Sequence, residues 1–120
     1  YRPDKSVIDK ALDLGAQISF YEDSLEAAAN ANVLVTDVWI SMGDEAGTRV
    51  QDLKPYQVNK EVLECADDKA IFLHCLPAVR GNEVTAEVID GSRSRVFDEA
   101  ENRLHAQKAI LCYLFGDTIL

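Results

Sequence analysis

Two short runs of apolar residues stand out along the chain: Val33-Leu34-Val35-Thr36 and Ala70-Ile71-Phe72-Leu73. Both are continuous rather than alternating, and the first is rich in β-branched side chains. Runs of this kind are typical of strands covered on both faces, as in a parallel sheet that lies between helices. The pattern therefore predicts two strands of a parallel sheet.

Apolar residues recur at helical spacing in the segments around these runs. The predicted helices are residues 5–14, ended by Gly15; 24–29, with Ser24 as N-cap and Asn32 as the end; 49–53 and 58–66, broken at Pro55; one turn at 87–89; and 98–115, stopped by Gly116. Residues 17–21 are β-prone, and residues 94–97 are predicted to form a short last strand.

The last predicted helix has features at its start and along one face. Asp98 and Glu101 form a pair that resembles a capping box. One face carries an apolar stripe, which predicts that this face is buried, and its residues are Ala100, Leu104, Leu111 and Leu114.

The order of elements predicts an α/β fold, a doubly wound parallel sheet. Strand, loop, helix and strand between residues 33 and 73 form a βαβ crossover. The order begins on a helix, whereas a unit of this kind is normally opened by its central strand. We therefore expect the fold to be Rossmann-like and to lack its first strand within these 120 residues.

Composition and charge exclude several classes of function. The chain has 120 residues, of which 48% are apolar, which is enough for one domain with a core. Its net charge of −9 would repel phosphate backbones and anionic bilayers, which argues against nucleic acid and membrane partners. No apolar run approaches the roughly 20 residues that span a bilayer. We expect a soluble protein.

The three cysteines are Cys65, Cys75 and Cys112, an odd number in a chain too poor in cysteine to be a disulfide scaffold. This count favours a reducing compartment such as the cytoplasm. Cys65 and Cys112 lie at helical core spacing and are interpreted as packing residues. No Cys or His pair has zinc-site spacing, and no glycine-rich phosphate or dinucleotide motif is present, so no metal or cofactor is predicted.

Polar residues follow both predicted strands. Asp37 comes directly after the first strand, with Ser41 in the loop beyond it, and His74-Cys75-Leu76-Pro77 follows the second. Ligands of open parallel sheets bind beyond the carboxyl ends of the strands, which makes these residues candidates for a site. Taken singly, Asp37 fits a turn cap, Cys75 a small buried apolar residue, and His74 a hydrogen-bonded core histidine.

Arg103 lies in the first turns of the last predicted helix, where the helix dipole disfavours a cation. A guanidinium held there could bind an anion. The alternative interpretation is a salt bridge to Glu99 or Asp98 at helical spacing.

Three of these segments together resemble the ornithine-binding domain of ornithine carbamoyltransferases, in the aspartate/ornithine carbamoyltransferase superfamily. Residues 1–4 and 52–57 extend the resemblance over nearly the whole chain. The three segments are Thr36-Asp37-Val38-Trp39-Ile40-Ser41-Met42-Gly43, Phe72-Leu73-His74-Cys75-Leu76-Pro77 and Phe97-Asp98-Glu99-Ala100-Glu101-Asn102-Arg103.

The resemblance implies transfer of a carbamoyl group from carbamoyl phosphate to the δ-amino group of L-ornithine, which gives L-citrulline and phosphate without a metal or cofactor. It implies that Asp37, Ser41 and Met42 contact ornithine. It also implies that Cys75 and Leu76 border the carbamoyl group of carbamoyl phosphate and that Arg103 contacts this substrate. Asp37 and Cys75 are thus the predicted catalytic residues, and the sequence leaves open whether Cys75 assists as a thiolate or only shapes the site.

The family grips phosphate with a Ser-x-Arg-Thr-Arg loop in a separate carbamoyl-phosphate-binding domain, and these 120 residues contain no such loop. Residues 1–120 are therefore expected to form most of the ornithine-binding domain and to have no transferase activity alone. The resemblance also implies trimers, or multiples of trimers, of the complete protein.

A second interpretation is a non-catalytic α/β module that binds an amino acid. Asp37, Ser41, Cys75 and Arg103 together disfavour a purely structural module, but they do not separate a binder from an enzyme.

Overall fold

The computed structural model describes residues 1–41, 43 and 47–116. Two strands and six α-helices account for its regular structure, together with a 3₁₀ turn at Lys54–Tyr56. The strands are β1 (Val33–Thr36) and β2 (Ile71–His74). The helices are α1 (Lys5–Asp13), α2 (Ser24–Ala28), α3 (Arg49–Leu53), α4 (Lys60–Cys65), α5 (Ala86–Ile89) and α6 (Val96–Phe115).

β1 and β2 pair in parallel, with Val33 opposite Ile71 and Thr36 opposite His74. Because α3 and α4 lie between the two strands in the chain, the predicted βαβ crossover and α/β class are confirmed. The observed strand β2 begins one residue later than predicted and includes His74.

A small core lies where β2 meets the helices. Phe72, in the middle of β2, is completely buried. It belongs to one apolar cluster with residues of α2, α4, α5 and the start of α6, among them Ala28, Val62, Val88 and Val96. Removing Phe72 from water and packing it here contributes about 2–3 kcal/mol by transfer alone.

The predicted last strand at residues 94–97 is wrong. Only Ser94 bridges to the sheet, beside Phe72, and α6 already begins at Val96. Arg95 makes a further backbone hydrogen bond, its N–H donating to the carbonyl of Phe72 at 2.9 Å. The short apolar pair at 96–97 opens a helix, because the helical pattern that follows it is much longer. Residues 17–21 form a loop rather than a strand.

Two predicted helix caps differ from the observed ones. Asp23, not Ser24, caps α2, since its carboxylate accepts from the backbone N–H of Leu25 at 2.7 Å. The Ser24 hydroxyl instead donates to the carbonyl of Pro55. At α6 the N-cap is Arg95 without a side-chain cap, so the predicted capping box of Asp98 and Glu101 does not form.

The apolar stripe of α6 is exposed, contrary to the prediction. Every residue of α6 from Ala100 onward is exposed except Cys112, which is half-buried. No described element covers this face. Cys65 is likewise exposed instead of packed in the core. The chain presents 9034 Å² of surface, whereas a compact monomer of its mass would present about 6,500 Å².

None of the described helices is both long and apolar enough to cross a membrane.

Gly91, between α5 and the Ser94 bridge, is the glycine whose replacement tests this packing. A Cβ at Gly91 would lie 2.6 Å from the carbonyl oxygen of Glu87. We expect Gly91→Ala to lower the free energy of unfolding by about 1–3 kcal/mol, because the backbone must shift to make room. Urea denaturation measures the change.

The matched control is Ser92→Ala, at the next residue, which is exposed. Equal stability of the two variants would show that the turn after α5 can relax and does not constrain the packing.

Candidate active site

The parallel register places Asp37 beside Cys75. Thr36 and His74 are opposite each other at the carboxyl ends of β1 and β2, and the next residue on each strand is Asp37 or Cys75. The Cys75 Sγ donates a hydrogen bond to Asp37 Oδ1 at 3.1 Å. The same oxygen accepts from the backbone N–H of Val38 at 2.7 Å. The two strand tips that the sequence singled out therefore form one site.

This hydrogen bond shifts the pKa values of both partners in opposite directions. The pKa of Asp37 is lowered, first by the Cys75 thiol and then by the Val38 N–H, since both donate to the carboxylate. The pKa of Cys75 is raised by the hydrogen bond to Asp37, then by burial and by the charges of Asp37 and Glu99. At neutral pH the pair is therefore a carboxylate and a neutral thiol.

Both side chains are exposed, although each is hydrogen-bonded to the other. The interpretation of Cys75 as a small buried residue is thus wrong, whereas Asp37 does bond the next backbone N–H as a turn residue would. Exposure at a strand tip leaves both groups accessible to a ligand.

His74 is completely buried and is a hydrogen-bonded core histidine, as one interpretation predicted. Its Nδ1 accepts from the backbone N–H of Leu76 at 2.9 Å, and its Nε2 lies 3.2 Å from Oε1 of Glu83. Leu76 has a φ of 55°, in the left-handed region, and precedes a cis bond to Pro77. The chain therefore turns sharply directly after Cys75.

The other residues predicted to contact substrate are close to Asp37 or Cys75 in the sequence. Ser41 is exposed in the loop after β1. Met42 lies outside the described residues. Leu76 is half-buried and packs against the apolar core.

Arg103 is exposed on α6, and neither predicted salt bridge forms. Asp98 instead pairs with Arg95 at 3.8 Å, and among the described residues Arg103 has no ion pair or hydrogen bond. The charge of Glu99 acts on Cys75, and Arg103 follows Glu99 by four residues, on the same helix face. The guanidinium is therefore free to bind an anion.

A metal ion would find few ligands here. One potential donor atom each from Asp37, His74 and Cys75 lies within 4.8 Å of the others. Both nitrogens of His74 are already hydrogen-bonded, which leaves a carboxylate and a protonated thiol. Two groups fall short of the three or four protein ligands of usual zinc sites. That the protein needs no metal stays a prediction.

Two acidic residues close to the site were not assigned to it from the sequence: Glu83 was missed, and Glu99 was named only as a salt-bridge partner of Arg103. Glu83 is 1% exposed and is hydrogen-bonded to His74. Glu99 is half-buried, and its negative charge raises the pKa of Cys75. Glu83 follows Gly81-Asn82, which reads as an exposed turn. Its burial depends on long-range packing and leaves no local signal in the sequence.

Comparison with known proteins identifies the family. The model of the aspartate/ornithine carbamoyltransferase family for its Asp/Orn binding domain matches residues 1–114. The chain belongs to this family. The family resemblance of the three sequence segments is thereby confirmed.

Individual carbamoyltransferases agree with this assignment. The ornithine carbamoyltransferase of Methanothermobacter thermautotrophicus is 54% identical over 98% of this chain and 41% of its own length. The solved ornithine carbamoyltransferase of Pyrococcus furiosus is 47% identical, with a TM-score of 0.83 over 93% of this chain and 38% of its own. That of Giardia lamblia is 36% identical, with a TM-score of 0.88 over 97% of this chain and 38% of its own.

These values also confirm the Rossmann-like α/β class for this carbamoyltransferase domain. The chain spans about two fifths of the length of the curated relatives it matches.

The charge coupling between Asp37 and Cys75 can be measured through the thiol. Asp37→Asn removes the negative charge beside Cys75. We expect the pKa of Cys75 to fall, because a neutral amide no longer disfavours the thiolate. Alkylation of Cys75 at pH 8, followed peptide by peptide in the mass spectrometer, should then be faster than in the wild type.

Alkylation of the exposed Cys65 in the same samples is the internal control. An unchanged rate at Cys75 would contradict the coupling.

Proposed function

We propose that this domain supplies the ornithine side of an ornithine carbamoyltransferase site. The reaction is transfer of the carbamoyl group of carbamoyl phosphate to the δ-amino group of L-ornithine, which gives L-citrulline and phosphate. The observation that carries the proposal is the contact of Asp37 with Cys75 at adjacent strand tips, where the open face of a parallel sheet takes its ligands.

Asp37 is the group that binds an ammonium in this proposal. It is charged at neutral pH, as its pKa is lowered further from an ordinary value that is already acidic, and its side chain is exposed. Both of its hydrogen bonds reach Oδ1, so that Oδ2 has no partner among the described residues. A charge-assisted hydrogen bond from an ornithine ammonium to Oδ2 would hold the substrate without disturbing Cys75.

Cys75 acts as a neutral thiol in this scheme. The attacking amine must lose its proton before it reaches the carbonyl carbon, and a thiolate would be one acceptor. The raised pKa argues against that role at neutral pH, so in this scheme the proton passes to water at the exposed strand tips. The thiol instead donates to Asp37 and fixes the direction of its carboxylate, which positions the substrate for attack.

Carbamoyl phosphate is assigned to the other side of the site. Negative charge grows on the carbonyl oxygen and the departing phosphate during transfer, and the free guanidinium of Arg103 is suited to stabilise it. Leu76, beside Cys75 at the same strand tip, borders the carbamoyl group in this proposal. Ser41 and Met42 complete the contacts with ornithine.

The rest of the phosphate grip belongs to a separate carbamoyl-phosphate-binding domain. Two observations support this: the curated relatives extend well beyond the matched region, and this chain exposes about 2,500 Å² more than a compact monomer would. We further propose that the complete protein works in arginine metabolism, as a trimer or a multiple of trimers, in the cytoplasm. The three free thiols fit a reducing compartment.

Replacing Asp37 in the complete enzyme tests the proposed function. Asp37→Asn is expected to weaken ornithine binding by about 10- to 100-fold, the value of one charge-assisted hydrogen bond of about 1.5–3 kcal/mol. Citrulline formation and ornithine titration together measure the effect.

The control for this variant is Asp68→Asn, which removes an equal charge at an exposed position. Ornithine binding without citrulline formation by the wild type would favour the non-catalytic module. Equal ornithine affinity of the two variants would remove Asp37 from the site.

Replacing Arg103 tests the anion side. Arg103→Lys keeps the positive charge but loses the planar guanidinium, which can donate two parallel hydrogen bonds to a phosphate group. We expect the KM for carbamoyl phosphate to rise by about tenfold while ornithine affinity changes little. Steady-state kinetics with each substrate varied in turn would show this, and a change confined to thermal stability would make Arg103 a structural residue.

A further inference from the structure

The buried carboxylate of Glu83 lies directly behind the Cys75 tip. Its Oε1 accepts two hydrogen bonds, one from the backbone N–H of Val79 and one from His74 Nε2 at 3.2 Å. Its Oε2 is buried without a partner among the described residues. Burying a charged group in this way is costly unless something offsets the cost.

The hydrogen bonds of His74 fix which nitrogen carries the proton. Nδ1 accepts from the Leu76 N–H at 2.9 Å, and a nitrogen that accepts carries no proton. The ring proton is therefore on Nε2, which donates to Glu83. A continuous chain of hydrogen bonds thus runs from Glu83 through the imidazole to the backbone of Leu76.

This chain holds the turn that contains Cys75. Cys75 lies between His74 and Leu76, and both neighbours are anchored by the same imidazole. Leu76 adopts a φ of 55°, which a side chain with a Cβ normally avoids. The hydrogen bond from the Leu76 N–H to His74 Nδ1 lies at this unusual turn, directly beside the thiol that donates to Asp37.

The segment that carries Glu83 is itself fixed to the crossover. The carbonyl of Glu83 accepts from the Val58 N–H at 2.9 Å, and the Thr85 N–H donates to the carbonyl of Val58 at 3.1 Å. Gln57 Nε2 donates to the carbonyl of Gly81 at 2.8 Å. Glu83 is therefore a rigid support and not a mobile surface acid.

We propose that Glu83 is a positioning residue, which acts through His74 to hold Cys75 and Leu76 in the geometry that joins the two strand tips. It touches no substrate. Its effect on turnover rests on the proposed carbamoyl transfer, whereas its effect on the thiol does not.

Two substitutions in the complete protein distinguish the effect of the length of the Glu83 side chain from the effect of its charge. Glu83→Asp keeps the charge but is one methylene shorter, so that it cannot reach both His74 and the Val79 N–H. Glu83→Gln loses the charge but keeps a carbonyl oxygen at the same distance. If Glu83 acts by position, the aspartate variant is the damaged one and the glutamine variant rescues it.

The first readout is alkylation of Cys75 as a function of pH, resolved by peptide. The ionisable groups around this thiol are Asp37 beyond β1, Glu99 on α6 and the adjacent His74. In Glu83→Asp the hydrogen bond from the thiol to Asp37 weakens, the pKa of Cys75 falls, and alkylation at pH 8 is expected to rise by about tenfold. Glu83→Gln should remain within about threefold of the wild type.

The second readout is turnover. Glu83→Asp is expected to lower kcat/KM for ornithine by about 10- to 100-fold, because the reacting groups are displaced, and Glu83→Gln should recover most of it. The control is Val88→Ala, which destabilises the same core from α5 without touching the tip. It should leave the pH profile of Cys75 unchanged.

The results distinguish this proposal from the proposed function. If the wild-type complete protein forms no citrulline, the proposed function fails, and the thiol readout still tests Glu83. Equal alkylation profiles for Glu83→Asp and the wild type would overturn the positioning role. It would equally be overturned if Glu83→Gln were as damaged as Glu83→Asp, or if Val88→Ala shifted the profile as much as either.

Discussion

The parallel register of β1 with β2 is the constraint on which the site depends. Because Thr36 lies opposite His74, the next residue of each strand emerges at the same edge of the sheet. A shift of one residue would send Asp37 and Cys75 to opposite faces. Such a shift would be costly, because every side chain of β2 would turn to the other face and the buried Phe72 would leave the core. Core packing and site geometry are thus secured by the same pairing.

The sequence predicted the sheet because its strands carry the least ambiguous pattern. The runs did form strands, but the expectation that both faces are covered is wrong, because Val33 and Val35 of β1 are exposed on one face. Ligand-binding residues follow the strands by the topology of parallel sheets. The juxtaposition of Asp37 and Cys75 could therefore be expected from order alone. The ends of the first and last helices could also be predicted from local sequence, because Gly15 and Gly116 follow them with positive φ.

Features that depend on distant packing could not be predicted in the same way. The stripe at Leu104 and Leu111 was expected to be buried, yet a helical pattern says only which face is apolar and not what covers it. The burial of Glu83 depends on His74, nine residues away, and on the crossover segment at Val58. Local sequence shows only an acid after Gly81-Asn82, which is typical of a surface turn.

The exposed thiol at the strand tip bears on how readily the protein is oxidised. Peroxides attack the thiolate and not the thiol, and an exposed cysteine at a site would ordinarily be vulnerable to them. Asp37 raises the pKa of Cys75 and so lowers the fraction of thiolate, while the sulfur stays open to solvent. The carboxylate therefore slows oxidation of its neighbour by the factor by which it lowers the thiolate fraction, and it does so without burying the sulfur.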